Sequence, residues 1–229
     1  MLPDFLVGPR AAVREAVEGR ASGIFNMAGF ACYWAALGVS ALPATLVAPG
    51  LVLAFAISGL TLWGGSRLRK QAKGLPAGDW GPDQVRRVRT GFLVIGAGEA
   101  VGFGTVVLYC GFLSRHWEWL GPAIAFPVGL HFFALAWLFR VPVYNLTGAA
   151  LCALGLATIL FVPAQATVAG QLSFFAAAPA PFWRLVPGLG ASLVLWATCV
   201  VMLAGGREIV RRSGSGTEVS ASLKPLIHR

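Results

Sequence analysis

Six apolar stretches of about twenty residues each, almost free of charge, leave this chain little choice of fold. They are Ser22–Leu42, Thr45–Gly64, Gly91–Leu113, Trp119–Phe139, Val143–Pro163 and Trp183–Gly206. A hydrocarbon layer about 30 Å thick takes roughly 20 apolar residues of helix to cross. None of the stretches alternates with period two, and all are too long for strands. The expected fold class is therefore all-α, a polytopic integral membrane protein with six transmembrane helices. Charged residues make up 12% of the 229 positions, against about 25% in soluble domains, which excludes a soluble enzyme and a conventional nucleic-acid-binding domain.

The basic residues give the expected orientation. With the N-terminus cytoplasmic, 16 of the 18 Lys and Arg residues fall on the inner side, and only Arg115 and Arg184 lie outside. Both termini are thus expected in the cytoplasm. The net charge of +9 calls for no nucleic acid, because the inner connection Gly65–Thr90 with its seven basic residues would face anionic lipid headgroups. Residues 1–21 read as a cytoplasmic N-terminal segment that could form an interfacial helix over Arg10–Arg20. Residues 22–206 read as the transmembrane bundle, and 207–229, rich in Ser and Gly, as a disordered cytoplasmic tail. No signal peptide is expected, since Asp4, Glu15 and Glu18 interrupt the N-terminal region. Fifteen Arg against three Lys, with abundant Ala and Gly, point to a bacterial source and hence an inner cell membrane.

Polar groups within the spans are the places to look for chemistry. Glu99 is the only acidic residue in any of them, and a mid-membrane acid costs a few kcal/mol even on lenient insertion scales. Gly96, Gly98 and Gly102 surround it, and a glycine-lined face allows another backbone to approach. His131 is the only histidine in a span. Counted from the basic side, each lies eight residues into its helix, about 12 Å deep at 1.5 Å per residue. Consecutive antiparallel helices usually pack together, so a Glu99–His131 contact is open. Asn26, Tyr144 and Asn145 fall on the same side, with Ser58 and Thr147, and Pro127 interrupts the helix ladder beside His131. The candidate proton- or ligand-binding residues are therefore Glu99, His131, Tyr144, Asn145 and Asn26. Each polar group could equally be helix glue.

Familiar membrane chemistries lack their residues. A bis-histidine haem needs two embedded histidines, a retinal Schiff base needs an embedded lysine, and a nucleotide-driven pump needs a P-loop. Cys32, Cys110, Cys152 and Cys199 lie in separate apolar runs without metal-binding spacing. No metal or cofactor is expected, and no catalytic residue is assigned. Three readings stay open. The first is a small carrier or channel-like protein whose Glu99/His131 site handles a proton, cation or small solute. The second is a membrane enzyme on a lipid or isoprenoid, with Glu99 as general acid in a cavity of Tyr33, Phe103, Phe132 and Trp137. The third is an accessory subunit without its own chemistry. Membrane lipids are the expected partners, with a homo-oligomer open.

One local pattern resembles something known. Gly129, Leu130, His131, Phe132, Leu135, Ala136, Phe139, Pro142, Tyr144 and Gly148 match a G-L-H-F…P-x-Y…G pattern. The pattern is similar to one in uncharacterised small six-helix bacterial integral membrane proteins. Ala134 stands where the pattern has a proline, and Asn145 where it has a second tyrosine. The resemblance covers under a tenth of the chain and implies a fold, with no activity attached.

Overall fold

The computed structural model describes residues 13–77, 82–162 and 182–223. Six helices account for nearly all of them: α1 Val13–Val39, α2 Ala44–Ala72, α3 Pro82–Val107, α4 Leu120–Phe139, α5 Val143–Phe161 and α6 Phe182–Leu223. A single π-helical turn, Leu108–Leu113, prolongs α3, and a 3₁₀ turn, Trp117–Trp119, leads into α4. All six are long and apolar enough to cross a membrane, as the sequence predicts. Among the described residues no strand occurs.

The helices overrun the apolar stretches at the end of the bundle that carries the basic residues. There α2 continues to Ala72 and α3 begins at Pro82, so Arg67, Arg69, Lys70, Arg86, Arg87 and Arg89 lie on helix extensions rather than in a loop. Two sequence expectations change for the same reason. Residues 13–21 are the first turns of α1, with Val17 and Ala21 in the core instead of facing a bilayer surface. Residues 207–223, expected to be disordered, continue α6. Glu208 holds Arg211 and Arg212 one turn away at 2.7 Å each, and Ile209 is buried. Such i,i+3 and i,i+4 pairs favour helix over coil. The uncharged connection 164–182 and the end of the tail fall almost wholly outside the described residues.

Packing divides the bundle unevenly. The last helix is its axis: α6 lies along α1 and also touches α2, α4 and α5, while α3 leans on α4 and on no other helix to a comparable extent. Glycine sets the closest approaches. A Cβ on Gly188 of α6 would stand 2.5 Å from the Cα of Gly38 on α1, so these two backbones are in direct contact. Gly148 of α5 likewise sits against the Gly129 carbonyl of α4, where a Cβ would come within 2.6 Å of the oxygen. Two glycines of the resemblance pattern therefore have a packing reason. Such contacts matter in a membrane, where dispersion between close surfaces replaces the hydrophobic drive between helices.

Hydrogen bonds between helices are few and local. Thr147 of α5 meets Thr198 of α6 at 2.8 Å between hydroxyls, and each hydroxyl also donates to or lies near a carbonyl one turn back. The Trp196 indole N–H donates to Ser58 of α2 at 3.1 Å. The short link between α4 and α5 turns on Arg140, whose φ of 53° is left-handed, with Pro142 capping α5. Proline cannot prolong α4 and is preset for a helix start, which explains the sharpness of this turn.

Candidate functional site

The seam between α3 and α4 is laid out by spacing along the chain. On α3 the less exposed positions include Gly91, Ile95, Glu99, Gly102 and Val106, a stripe of three- and four-residue steps along one helix face that Cys110 continues in the π-turn. A Cβ at Gly91 would press on Leu138 of α4, and one at Gly102 would stand 2.8 Å from the ring of Pro127. From Gly91 to Gly102 is eleven residues up α3; from Leu138 to Pro127 is eleven down α4. The helices therefore run antiparallel in one fixed register.

That register brings the embedded acid and the embedded imidazole together. Glu99 Oε2 lies 3.0 Å from His131 Nδ1, and the two side chains are only 15% and 14% exposed. Nδ1 is within ion-pair distance but aligned for a hydrogen bond with neither Oε2 nor any other described group. The pair is thus held by position, with the proton donor and acceptor side by side. The His131 ring stands edge-on to Phe132 at 5.9 Å, which limits its rotation. Glycine flanks Glu99 unequally. Gly102 is filled by Pro127, but a Cβ at Gly96, one turn nearer the basic end, or at Gly98 would meet nothing within 4 Å. No described side chain packs on those two glycines.

The remaining candidates part company with the pair. Tyr144 is buried, with its ring against Phe132 at 5.6 Å and its hydroxyl close to Gly23 of α1. It reaches toward α1 and Arg20 rather than toward Glu99 or His131. Asn26 and Asn145 are exposed on the outer surface of the bundle and line no site with Glu99. Equal depth along a helix says nothing about azimuth, and here azimuth separates them. The aromatic cavity expected for a lipid enzyme is likewise not assembled, because Tyr33 and Trp137 face outward while Phe132 is buried.

Two features lie outside the candidate residues, and only the first departs from expectation. Arg20 was assigned to a surface segment, yet it is buried within α1, where its guanidinium donates to the Ala16 carbonyl at 3.1 Å and lies near Tyr144. The signal was available in the unbroken apolar face of Val17, Ala21 and Ile24. At the opposite end of the bundle, His116 Nδ1 meets Glu118 Oε1 at 2.7 Å, and its ring stacks on Trp119 at 5.4 Å. Trp117 fills the notch at Gly111 in the π-turn. Among the described residues no three His, Cys, Asp or Glu side chains gather as a metal site would require.

No family model, no curated protein and no solved structure matches this chain.

Proposed function

We propose that the protein is a small carrier of the bacterial inner membrane, with both termini cytoplasmic, in which Glu99 and His131 hold and pass on a proton. The observation that carries this reading is the 3.0 Å approach of the only embedded acid to the only embedded imidazole across the α3–α4 seam. One carboxyl and one imidazole suit a proton better than a metal cation, which needs about six oxygen or nitrogen ligands. Between them the two groups can hold no proton beyond the carboxylate and neutral imidazole, one proton on either partner, or two. The middle state is either a neutral pair or an ion pair, and the outer two states carry unlike net charge. A site so coupled titrates as a unit.

Two further features support transport. Among the described residues nothing packs on Gly96 or Gly98, so no neighbouring helix closes that flank of the acid-bearing helix. The helix that carries Glu99 is braced on one side only, so a change of charge in the seam acts on the least restrained element of the bundle. The basic helix extensions, including Arg67 over the Trp63 ring at 4.0 Å, suit a cytoplasmic face in contact with anionic headgroups.

The test is proton flux into proteoliposomes under an imposed pH gradient. Glu99→Gln and His131→Gln keep the shape of each side chain and remove its titration. Each is expected to slow flux at least about tenfold, equivalent to about 1.4 kcal/mol in the barrier. Equal flux in wild type and Glu99→Gln would refute the role. Absence of wild-type flux would favour the accessory-subunit reading.

A further inference from the structure

The outward face of α1 is built the wrong way round for a helix that meets lipid. Its inward face carries Val17, Ile24, Met27, Trp34 and Val39, all buried. The positions turned farthest from the core are Gly19, Ser22, Asn26, Gly29 and Tyr33, every one exposed. At 100° per residue these five fall within an arc of about 80°. The neighbouring exposed residue Phe30 is the one large apolar side chain beside them. The exposed surfaces of α2 and α5 carry many of the large apolar side chains that lipid favours, among them Val52, Leu53, Phe55 and Leu60 on α2 and Leu146 and Leu160 on α5.

Three features of the α1 face go beyond small size. The steps between its members are three, four, three and four residues, the heptad spacing by which two like helices mesh along a seam. The Asn26 amide makes no side-chain hydrogen bond to any described residue, and neither does the Tyr33 hydroxyl, although Tyr33 is 63% exposed within the span. A Cβ on Gly19 or Gly29 would meet nothing within 4 Å, so no described residue of the same chain fills the grooves that these glycines leave.

We infer that this face is the contact between two copies of the chain, α1 against α1, with Asn26 opposite Asn26. Two copies inserted with the same topology are related by a two-fold axis along the membrane normal. That axis makes the helices parallel and sets every residue level with its own counterpart. An amide carries both donors and an acceptor, so two asparagines at one depth satisfy each other, which no apolar or singly charged group would do. Gly19, Ser22 and Gly29 then let the backbones close to the distance such a bond requires. A different partner would have to bring its own donor and acceptor to this depth. The Glu99–His131 seam lies on other helices, so this contact stands or falls independently of proton transfer.

Stepwise photobleaching of singly labelled protein in liposomes at high lipid-to-protein ratio tests the inference. Wild type is expected to bleach mainly in two steps. The double variant Asn26→Leu with Tyr33→Phe should shift most of the population to one step, while Asn145→Leu, which changes the other exposed asparagine, should not. All three positions are exposed in the single chain, so an unchanged thermal melting profile confirms that each variant folds. Asn26→Gln, which keeps an amide, should retain more two-step bleaching than Asn26→Leu. One-step bleaching of wild type would overturn the inference, as would a double variant that still bleaches in two steps.

Discussion

The α1–α6 seam and the α3–α4 seam are both antiparallel helix contacts built on glycine, yet they are put to opposite uses. Along α1–α6 the glycines meet each other, Gly38 against Gly188, and the rest of the surface is apolar: Ile24, Ala28, Ala31, Leu195 and Cys199 are all buried. Along α3–α4 a single glycine, Gly102, receives a proline ring, and the middle of the contact is a carboxyl beside an imidazole. The first seam lies at the centre of the bundle, and the second holds an edge helix whose apolar window has no buried residue. The ionisable pair thus sits on the least braced helix of the bundle.

Breaking the central seam should have the largest effect. Gly188→Leu forces a side chain into the Gly38 backbone, where no flexible atom can give way, and about 3 kcal/mol or more of stability should be lost. Thermal unfolding in detergent measures this, and a melting temperature equal to wild type would show that the seam is not close-packed. At the edge seam the same kind of change should be milder and should depend on position. Gly102→Ala sets a methyl 2.8 Å from Pro127 and is expected to cost about 1–2 kcal/mol, whereas Gly96→Ala meets open space and should leave stability within about 0.5 kcal/mol of wild type. If both alanines cost the same, the unequal flanks of Glu99 are not real. A single interhelical hydrogen bond should matter nearly as little. Thr147→Val removes the 2.8 Å contact with Thr198 and should cost about 0.6 kcal/mol, read by the same unfolding assay.

Much of the fold was legible in the chain because a bilayer admits few solutions. Each backbone amide must be satisfied within its own segment, so an uncharged run of twenty residues can only be a helix. Segment lengths also told which helices are joined by tight turns, and Pro142 marked one of them. Helix ends at the basic side were less legible. Hydropathy reports where the hydrocarbon stops, and helices such as α2 and α6 continue past it on i,i+4 contacts and local propensity. The candidate site divides in the same way. Glu99 and His131 stood out by type and by equal depth on consecutive helices, and they do meet. Tyr144, Asn145 and Asn26 had similar depth, but depth is one coordinate of two.

Residue types alone determined the number of segments long and apolar enough to cross a membrane, their order, and the two ionisable groups that stand out within them. Those facts follow from transfer energies, which each side chain carries with it wherever it stands. Only the packed structure decided which face of each helix turns inward. That choice sent Arg20 and Tyr144 into the core, left Asn26 and Tyr33 outside, and put one carboxyl oxygen 3.0 Å from one ring nitrogen. It depends on how six helices share a small set of close glycine contacts, a property of the whole bundle that no single segment encodes.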